Sequence, residues 1–209
     1  MGMWKGWPIE SRKMTGIDVS HYNGAINWAQ VSKNTNPKVD FVYIKATQGV
    51  GYVDPKFKIN ATLAKDSGLK LGYYHFCSLN DTNVIADSTN EAKWFISNII
   101  TVPAPSLPLI LDIESDDSKA QLNKDAVLLW IKTFFSTLEA NGYSNYALYS
   151  YTPFLNSHLP INHGLGGIKL WLAAYTNSSS PILPNGWSEY WMWQYTSKGR
   201  VDGISTDVD

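Results

Sequence analysis

The amino-acid sequence predicts an α/β protein folded as a single irregular TIM-like barrel of mostly parallel strands. Strand-like and helix-like segments alternate along most of the chain, and strands with little helix between them follow. Such alternation favours a parallel sheet. A doubly wound open sheet is the main alternative, and the lack of a glycine-rich phosphate loop after the first predicted strand makes it less favoured.

The first elements each carry a local signal. Residues 15–20 form a short apolar strand, and residues 26–33 follow as a helix with Ile26, Ala29 and Val31 near one face. Residues 41–49 form a strand that ends at a glycine. Residues 54–68 begin with Asp-Pro and stop at a glycine, which are the usual boundary signals of a helix.

The alternation continues through the middle of the chain. Residues 70–77 form a strand rich in aromatic side chains, and residues 87–100 form an amphipathic helix. Residues 107–114 form an aliphatic strand. Residues 123–142 form the longest predicted helix, which stops at an Asn-Gly pair.

Strands dominate the last part of the chain. Residues 146–152, 169–176 and 190–197 are predicted strands, and the helical signals fade after the first of them. Residues 1–14 lack periodicity and are predicted to be an N-terminal extension. Residues 15–209 are then one barrel domain, because no linker or internal repeat divides them.

Composition narrows the possible partners. The chain has 209 residues, of which 44% are hydrophobic, enough for one sizeable core. The formal net charge is -1, so the chain lacks the basic excess that nucleic-acid binding requires. No apolar run approaches the length needed for membrane insertion, and no signal peptide is visible. We expect a monomer.

Two acids follow the aliphatic strand in "LPLILDIESDD". Residues i and i+2 of a strand share a face, so Asp112 and Glu114 project together with Cα atoms roughly 7 Å apart. Leu109, Leu111 and Ile113 point to the opposite face. In a β/α barrel, the carboxyl end of a strand faces the active-site loops.

Two carboxyl groups held close in a partly dry cleft cannot ionise equally, because each raises the pKa of the other and burial adds to the effect. One can stay protonated while the other is charged, as cleavage of a glycosidic bond requires. The alternative is a strand end whose acids are merely solvated.

Polar and aromatic side chains recur at the ends of the other predicted strands, and they meet at one mouth if the barrel closes. Aromatic faces suit sugar rings, while acids and amides bind hydroxyl groups. The residues expected at this mouth are Asp18, His21, Tyr22, Tyr74, His75, Tyr149, Tyr151, Trp171, Tyr175, Trp193, Gln194 and Tyr195.

Six ordered motifs resemble those of the family 25 glycoside hydrolases, the lysozymes found in phages, bacteria and some fungi. They are "GIDVSHYNGAINW", "FVYIKATQG", "GYYHF", "LPLILDIE", "LWLAAY" and "WQYTSKGRVDGI...DVD". The resemblance implies a (β/α)5(β)3 barrel that cleaves the β-1,4 bond between N-acetylmuramic acid and N-acetylglucosamine in bacterial peptidoglycan, without metal or cofactor.

The resemblance also implies residue roles. Glu114 matches the general acid/base, and Asp112 matches the acid that orients the substrate's N-acetyl group in substrate-assisted, retaining catalysis. Asp18 and Asp209 match further active-site acids. The residues expected to contact the glycan are Asp18, Tyr74, Tyr149, Trp171, Tyr175, Trp193, Gln194 and Asp209.

The chain departs from the family pattern at Gln48, where the family commonly has Glu. We expect this amide to alter pH dependence or substrate contacts without abolishing the chemistry. The chain also stops at Asp209, where the family pattern usually continues with an Asn and a few apolar residues.

Two other functions stay open at this point. A metal-dependent hydrolase could use ligands from Asp18, His21, His75, Asp112 and Glu114, although no H-x-H or H-E-x-x-H pattern is present. Activity that is insensitive to EDTA would dismiss it. A non-catalytic glycan-binding barrel is the second alternative. The setting expected for a hydrolase is the bacterial cell wall, in the periplasm or outside the cell, as a phage endolysin, an autolysin or an antibacterial effector.

Overall fold

The computed structural model describes residues 13–115 and 121–209, and it confirms the α/β class. Most of the predicted N-terminal extension, residues 1–12, lies outside the described residues. Lys13 and Met14 are described, and both are exposed.

The structure contains one curled sheet of eight strands. Their bounds are β1 Gly16–Val19, β2 Phe41–Gln48, β3 Tyr52–Val53, β4 Lys70–Phe76, β5 Leu109–Asp112, β6 Tyr146–Ser150, β7 Lys169–Ala173 and β8 Met192–Gln194. Every predicted strand is present, and each is shorter than predicted.

Five α-helices connect or flank the strands in the described residues. They are α1 Trp28–Val31, α2 Phe57–Asp66, α3 Val84–Ile99, α4 Lys124–Ala140 and α5 Thr152–His158. A 3-10 turn also follows β1 at His21–Asn23. No helix in this part of the chain is long and apolar enough to cross a membrane.

The strand order is β1-β2-β4-β5-β6-β7-β8, and all these neighbours are parallel. Strand β3 pairs antiparallel with the end of β2. The first and last strands of this order, β1 and β8, approach each other. Gln194 Nε2 on β8 donates to Asp18 Oδ2 on β1 at 2.8 Å, and the Asp18 N–H donates to the Asp209 carbonyl at 3.2 Å. The curled parallel sheet is therefore confirmed, and the exact (β/α)5(β)3 count stays a prediction.

Two apolar cores lie on the two faces of this sheet. The larger core, called the outer core below, lies between the sheet and the helices. On β5 it contains Leu109 and Leu111, with Ile113 just beyond the strand. The smaller core lies inside the curl, where Ile110 packs. The predicted division of β5 into two faces is therefore correct. The inner core consists of Phe41, Tyr43, Ile110, Ala147, Tyr149 and Trp171.

The inner core is tightly packed beside Gly72. This glycine pairs in register with Tyr43 on the neighbouring strand. A Cβ atom at Gly72 would lie 2.0 Å from the Tyr43 ring, so any larger residue would displace the ring. The Tyr43 hydroxyl donates to the Pro108 carbonyl at 3.1 Å, which anchors the ring below the mouth of the curl.

Three elements of the structure differ locally from the prediction. The helix predicted at residues 26–33 shrinks to one turn, in which Trp28 and Val31 are buried and Ala29 is exposed. Helix α5 was not predicted because it is short, although it has Pro near its first turn. Strand β3 was not predicted because its two residues give no periodicity.

Candidate active site

Asp112 occupies the carboxyl end of β5, between two neighbouring strands. In register it lies opposite Phe76 on β4 and Tyr149 on β6. Only 5% of its surface is exposed. Its Oδ1 atom is buried and has no hydrogen-bond partner within residues 13–115 and 121–209. An unpaired buried carboxyl oxygen is costly, so this atom is poised to bind a polar group.

Glu114 follows two residues later, and its backbone is held firmly. Its carbonyl accepts a hydrogen bond from the Tyr151 hydroxyl at 3.0 Å. The preceding carbonyl, of Ile113, accepts from Ser150 Oγ at 2.5 Å, and the Ile113 N–H donates to the Tyr149 carbonyl at 3.0 Å. Strand β6 thus fixes the segment that carries Glu114, whose side chain is only partly buried.

Both members of this pair favour the protonated form. Burial raises the pKa of Asp112 well above its usual range, the charge of Glu114 raises it further, and Lys45 opposes the shift. Burial also raises the pKa of Glu114, with Lys45 opposing and Asp209 adding to it. Since the two acids disfavour each other's ionisation, one can keep a proton near neutral pH while the other is charged.

Two further predicted acids join this group. Burial, the charge of Asp209 and that of Glu114 raise the pKa of Asp18 to about 8, while the hydrogen bond from Gln194 lowers it. Burial raises the pKa of Asp209. The structure therefore brings together all four of the acids predicted from the sequence.

Gln194, at the end of β8, connects three of the predicted residues. Its Oε1 accepts hydrogen bonds from the hydroxyls of Tyr149 and Tyr175, each at 2.8 Å. Its Nε2 donates to Asp18 at 2.8 Å. Gln194 is buried, so it orients the two tyrosines and Asp18 rather than lying open to solvent.

The predicted aromatic residues differ in their access to the mouth. Tyr175 is 58% exposed. Tyr74 is partly buried, and its pKa is raised well above its usual range by burial and by the charges of Asp18 and Asp112. Trp171 is buried in the inner core, with its ring centroid 4.8 Å from that of Tyr149.

Trp193 lines one cavity with Asp18, Trp171, Gln194 and Asp209 but differs from Gln194 in orientation. It pairs in register with Leu172, which belongs to the outer core, so its side chain leaves β8 on the face opposite Gln194. Its indole N–H donates to the Ala174 carbonyl at 2.8 Å. A role in glycan binding stays a prediction for this residue.

Lys45 is a site residue that the sequence reasoning missed. It is buried on β2, and its Nζ donates to Gln48 Oε1 at 2.7 Å. Burial lowers the pKa of this ammonium group, whereas the charges of Asp112, Asp54 and Glu114 raise it. A charged residue inside an apolar strand was the available signal, because a buried lysine needs acidic partners.

The histidines of the metal-site alternative lie apart from the acids. His75 is fully buried on the outer face, where Nε2 contacts Glu91 at 2.8 Å and Nδ1 contacts Thr47 at 2.8 Å. His21 contacts Asp54 at 2.7 Å. Among the described residues, no group of three or more His, Cys, Asp or Glu side chains is arranged to hold a metal ion.

Two neighbouring acids with raised pKa values at the carboxyl edge of a parallel sheet are the groups that a glycoside hydrolase uses. The model of the family "Glycosyl hydrolases family 25" matches residues 17–204 of the chain. The chain therefore belongs to glycosyl hydrolase family 25, and the resemblance read from its sequence motifs is confirmed.

Similar proteins agree with this assignment. Lysozyme M1 of Streptomyces globisporus is 33% identical over 97% of this chain and 68% of its own length. The autolytic lysozyme of Clostridium acetobutylicum is 32% identical over 94% of this chain and 54% of its own length. The crystal structure of a bacterial lysozyme from Streptomyces coelicolor superposes with a TM-score of 0.83, at 32% identity, over 96% of this chain and 91% of that one.

Proposed function

We propose that this protein is a peptidoglycan hydrolase, a lysozyme that cleaves the β-1,4 bond between N-acetylmuramic acid and N-acetylglucosamine. The observation that carries the proposal is the acid pair at the end of β5. Asp112 is buried with an unpaired carboxyl oxygen, and burial raises the pKa of Glu114 beside it. Family membership and the lysozyme relatives support the choice of substrate.

Glu114 is the proton donor in this mechanism. Burial raises its pKa and so favours the protonated form that a proton donor needs, and its partial exposure leaves it accessible to the glycosidic oxygen. Transfer of that proton to the leaving oxygen lets the C–O bond break. The resulting carboxylate then takes a proton from the incoming water, so Glu114 returns to its starting form.

Asp112 has the complementary task. The substrate's own N-acetyl oxygen attacks the anomeric carbon, and a ring carrying positive charge forms. Burial raises the pKa of Asp112, so its ionised form depends on the charge of Lys45 and on the acetamido N–H, which donates to its unpaired oxygen; as a carboxylate it balances the charge of the ring. Two displacements at the same carbon give retention of configuration.

The glycan lies across the mouth of the curled sheet in this proposal. Tyr175 is exposed and supplies an aromatic face, while Tyr74 lines the mouth from β4. Tyr149 and Trp171 form the floor beneath the acids. Asp18, Gln194 and Asp209 set the polarity of one wall, where Gln194 bonds Asp18 at 2.8 Å.

The proposed place of action is the bacterial cell wall, with a monomer acting on its glycan. One relative is named an autolytic lysozyme, and the endolysin CTP1L has a TM-score of 0.74 at 28% identity over 94% of this chain and 64% of that one. This chain spans about half the length of the autolytic lysozyme.

The decisive experiment compares Glu114→Gln with Glu189→Gln. Glu189 is exposed, so its variant makes the same chemical change away from the site. We expect Glu114→Gln to lose at least about 100-fold in turnover of purified peptidoglycan, the usual worth of a general acid. Equal clearing by both variants would refute the assignment. Wall binding by the wild type without new reducing ends would indicate a non-catalytic glycan-binding barrel instead.

Product analysis tests the bond and the stereochemistry. Mass spectrometry of digested peptidoglycan should show new N-acetylmuramic acid reducing ends, whereas N-acetylglucosamine ends would identify a glucosaminidase. NMR of the first product anomer should show the β form. Asp112→Asn should be nearly as damaging as Glu114→Gln, and a mild effect would contradict substrate-assisted catalysis.

A further inference from the structure

We propose that Lys45 and Gln48 together set the pH range in which the acid pair works. Lys45 is a positioning residue that directs a positive charge toward Asp112 and Glu114, and Gln48 is a neutral partner that leaves this charge uncompensated. The inference rests on the proposed function for its catalytic consequence, and its electrostatic part can be tested without turnover.

Alternation along β2 puts Lys45 on the inner face, two residues after the inner-core residue Tyr43, and a bulge lies just beyond it. The pairing of β2 with β4 shifts register between Lys45 and Thr47. Before the shift, Lys45 lies in register with Tyr74 on the inner face. After it, Thr47 contacts His75 at 2.8 Å on the outer face. A bulge re-aims side chains in this way, and without it alternation would put Lys45 and Thr47 on one face.

The side chain of Lys45 is held on several sides. The residue is 8% exposed. Its Nζ donates to Gln48 Oε1 at 2.7 Å and lies 5.0 Å from the centroid of the Phe76 ring. Phe76 is the register neighbour of Asp112, so this contact fixes the ammonium group on the side of the acid pair. The Tyr52 ring centroid lies 5.8 Å away on the solvent side.

Whether residue 48 is an amide or a carboxylate decides how much of the Lys45 charge acts on Asp112 and Glu114. An amide oxygen orients an ammonium group without neutralising it, whereas a carboxylate at the same distance would cancel most of its field. Asp54 is the other acid that faces Lys45. Its carboxylate already accepts hydrogen bonds from the His21 ring at 2.7 Å, the His21 N–H at 3.0 Å and the Lys56 N–H at 2.9 Å.

The direction of the effect follows from the charges that face the pair. Lys45 favours the ionised forms of Asp112 and Glu114, and so lowers the pKa of each. Asp18 opposes it at Asp112, and Asp209 opposes it at Glu114. Weakening the positive charge therefore raises both pKa values. Ionisation of Asp112 and loss of the Glu114 proton then both occur at higher pH.

The test measures kcat/KM on soluble peptidoglycan fragments from pH 4 to 9 for Lys45→Met, Gln48→Glu and Lys45→Arg. We expect Lys45→Met to displace both limbs of the profile upward by about one pH unit. Gln48→Glu should move them in the same direction by a smaller amount. Lys45→Arg keeps the charge, so the pH midpoints of its two limbs should match those of the wild type, whatever its absolute kcat/KM.

Matched controls separate a local field from net charge. Gln30→Glu makes the same substitution on the exposed face of α1, and Lys93→Met removes an exposed cation of α3. Neither should displace the profile. Gln48 is only partly buried, so Gln48→Glu keeps the proposal testable if Lys45→Met fails to fold.

A second measurement does not depend on turnover. NMR titration of protein labelled with 13C at the glutamate carboxyl groups reports the pKa of Glu114, whose signal is assigned by its loss in Glu114→Gln. That pKa should rise in Lys45→Met and in Gln48→Glu. Profiles or titrations that overlay the wild type, or move to lower pH, would overturn the inference. If the wild type cleaves no glycan, the proposed function fails, while the titration still decides whether Lys45 acts on Glu114.

Discussion

Replacing Gln194 by Leu tests whether this residue holds one wall of the mouth together. The change removes the acceptor of the Tyr149 and Tyr175 hydroxyls and the donor to Asp18, each at 2.8 Å. Tyr175 is 58% exposed and can bond water instead. Tyr149 is 9% exposed and Asp18 is partly buried, so these two groups lose partners that water replaces poorly.

The magnitude follows from these two groups. A buried polar group left without a partner costs about 1–3 kcal/mol, and the added apolar surface of Leu offsets part of the sum. We expect Gln194→Leu to lower the free energy of unfolding by about 2–4 kcal/mol. For a chain of this size, that corresponds to a drop in Tm of roughly 6–12 °C.

The loss should also depend on pH. The hydrogen bond from Gln194 lowers the pKa of Asp18, which stands at about 8, because it favours the carboxylate. At pH 6 the folded state holds Asp18 protonated with or without Gln194. At pH 9 only the wild type keeps a stabilised carboxylate, so the variant should lose more stability at pH 9 than at pH 6.

Urea denaturation followed by circular dichroism at both pH values provides the assay. Gln30→Leu is the matched control, since Gln30 is exposed on α1 and its replacement should change stability by less than about 0.5 kcal/mol. If Gln194→Leu behaves like Gln30→Leu at both pH values, the three hydrogen bonds do not stabilise the wall, and the reasoning is refuted.

Two further predictions concern the folded state. Glu91 Oε2 lies 2.8 Å from His75 Nε2, and burial raises the pKa of Glu91 to about 8, so the folded pair keeps a proton that the unfolded chain has lost above pH 6.5. This pair by itself should therefore lower the free energy of unfolding between pH 6.5 and 8 by up to about 1.4 kcal/mol per pH unit, and Glu91→Gln should remove that part of the slope in urea titrations. Gly72→Ala should lower the free energy of unfolding by about 1–3 kcal/mol, because its Cβ would lie 2.0 Å from the Tyr43 ring, and an unchanged Tm would contradict this packing.

The sequence predicted best the elements that have long periodic signals. Helix α4 occupies 124–140 within the predicted 123–142, and helix α3 occupies 84–99 against a predicted 87–100. Such helices show many turns of one apolar face, so their signal is strong. Helix α5 and strand β3 have seven and two residues, too few for a periodic signal to stand out.

The faces of a strand show where the same reasoning stops. In "WMWQY" alternation separates Trp193 from Gln194, whichever way the strand is turned. Local sequence does not say which of the two faces the interior. The register of β8 with β7 decides it, because Leu172 is in the outer core and lies opposite Trp193.

The sequence by itself determined the alternation of strands and helices and the pairing of Asp112 with Glu114 on one side of a strand end. Both follow from backbone geometry over a few residues, so no distant contact is needed. Only the tertiary structure decided that Gln194 meets Asp18 across 176 positions of chain, and that a bulge after Lys45 turns Thr47 to the outer face. Such contacts depend on the curl and register of the whole sheet, which are set by long-range packing and not by any single segment.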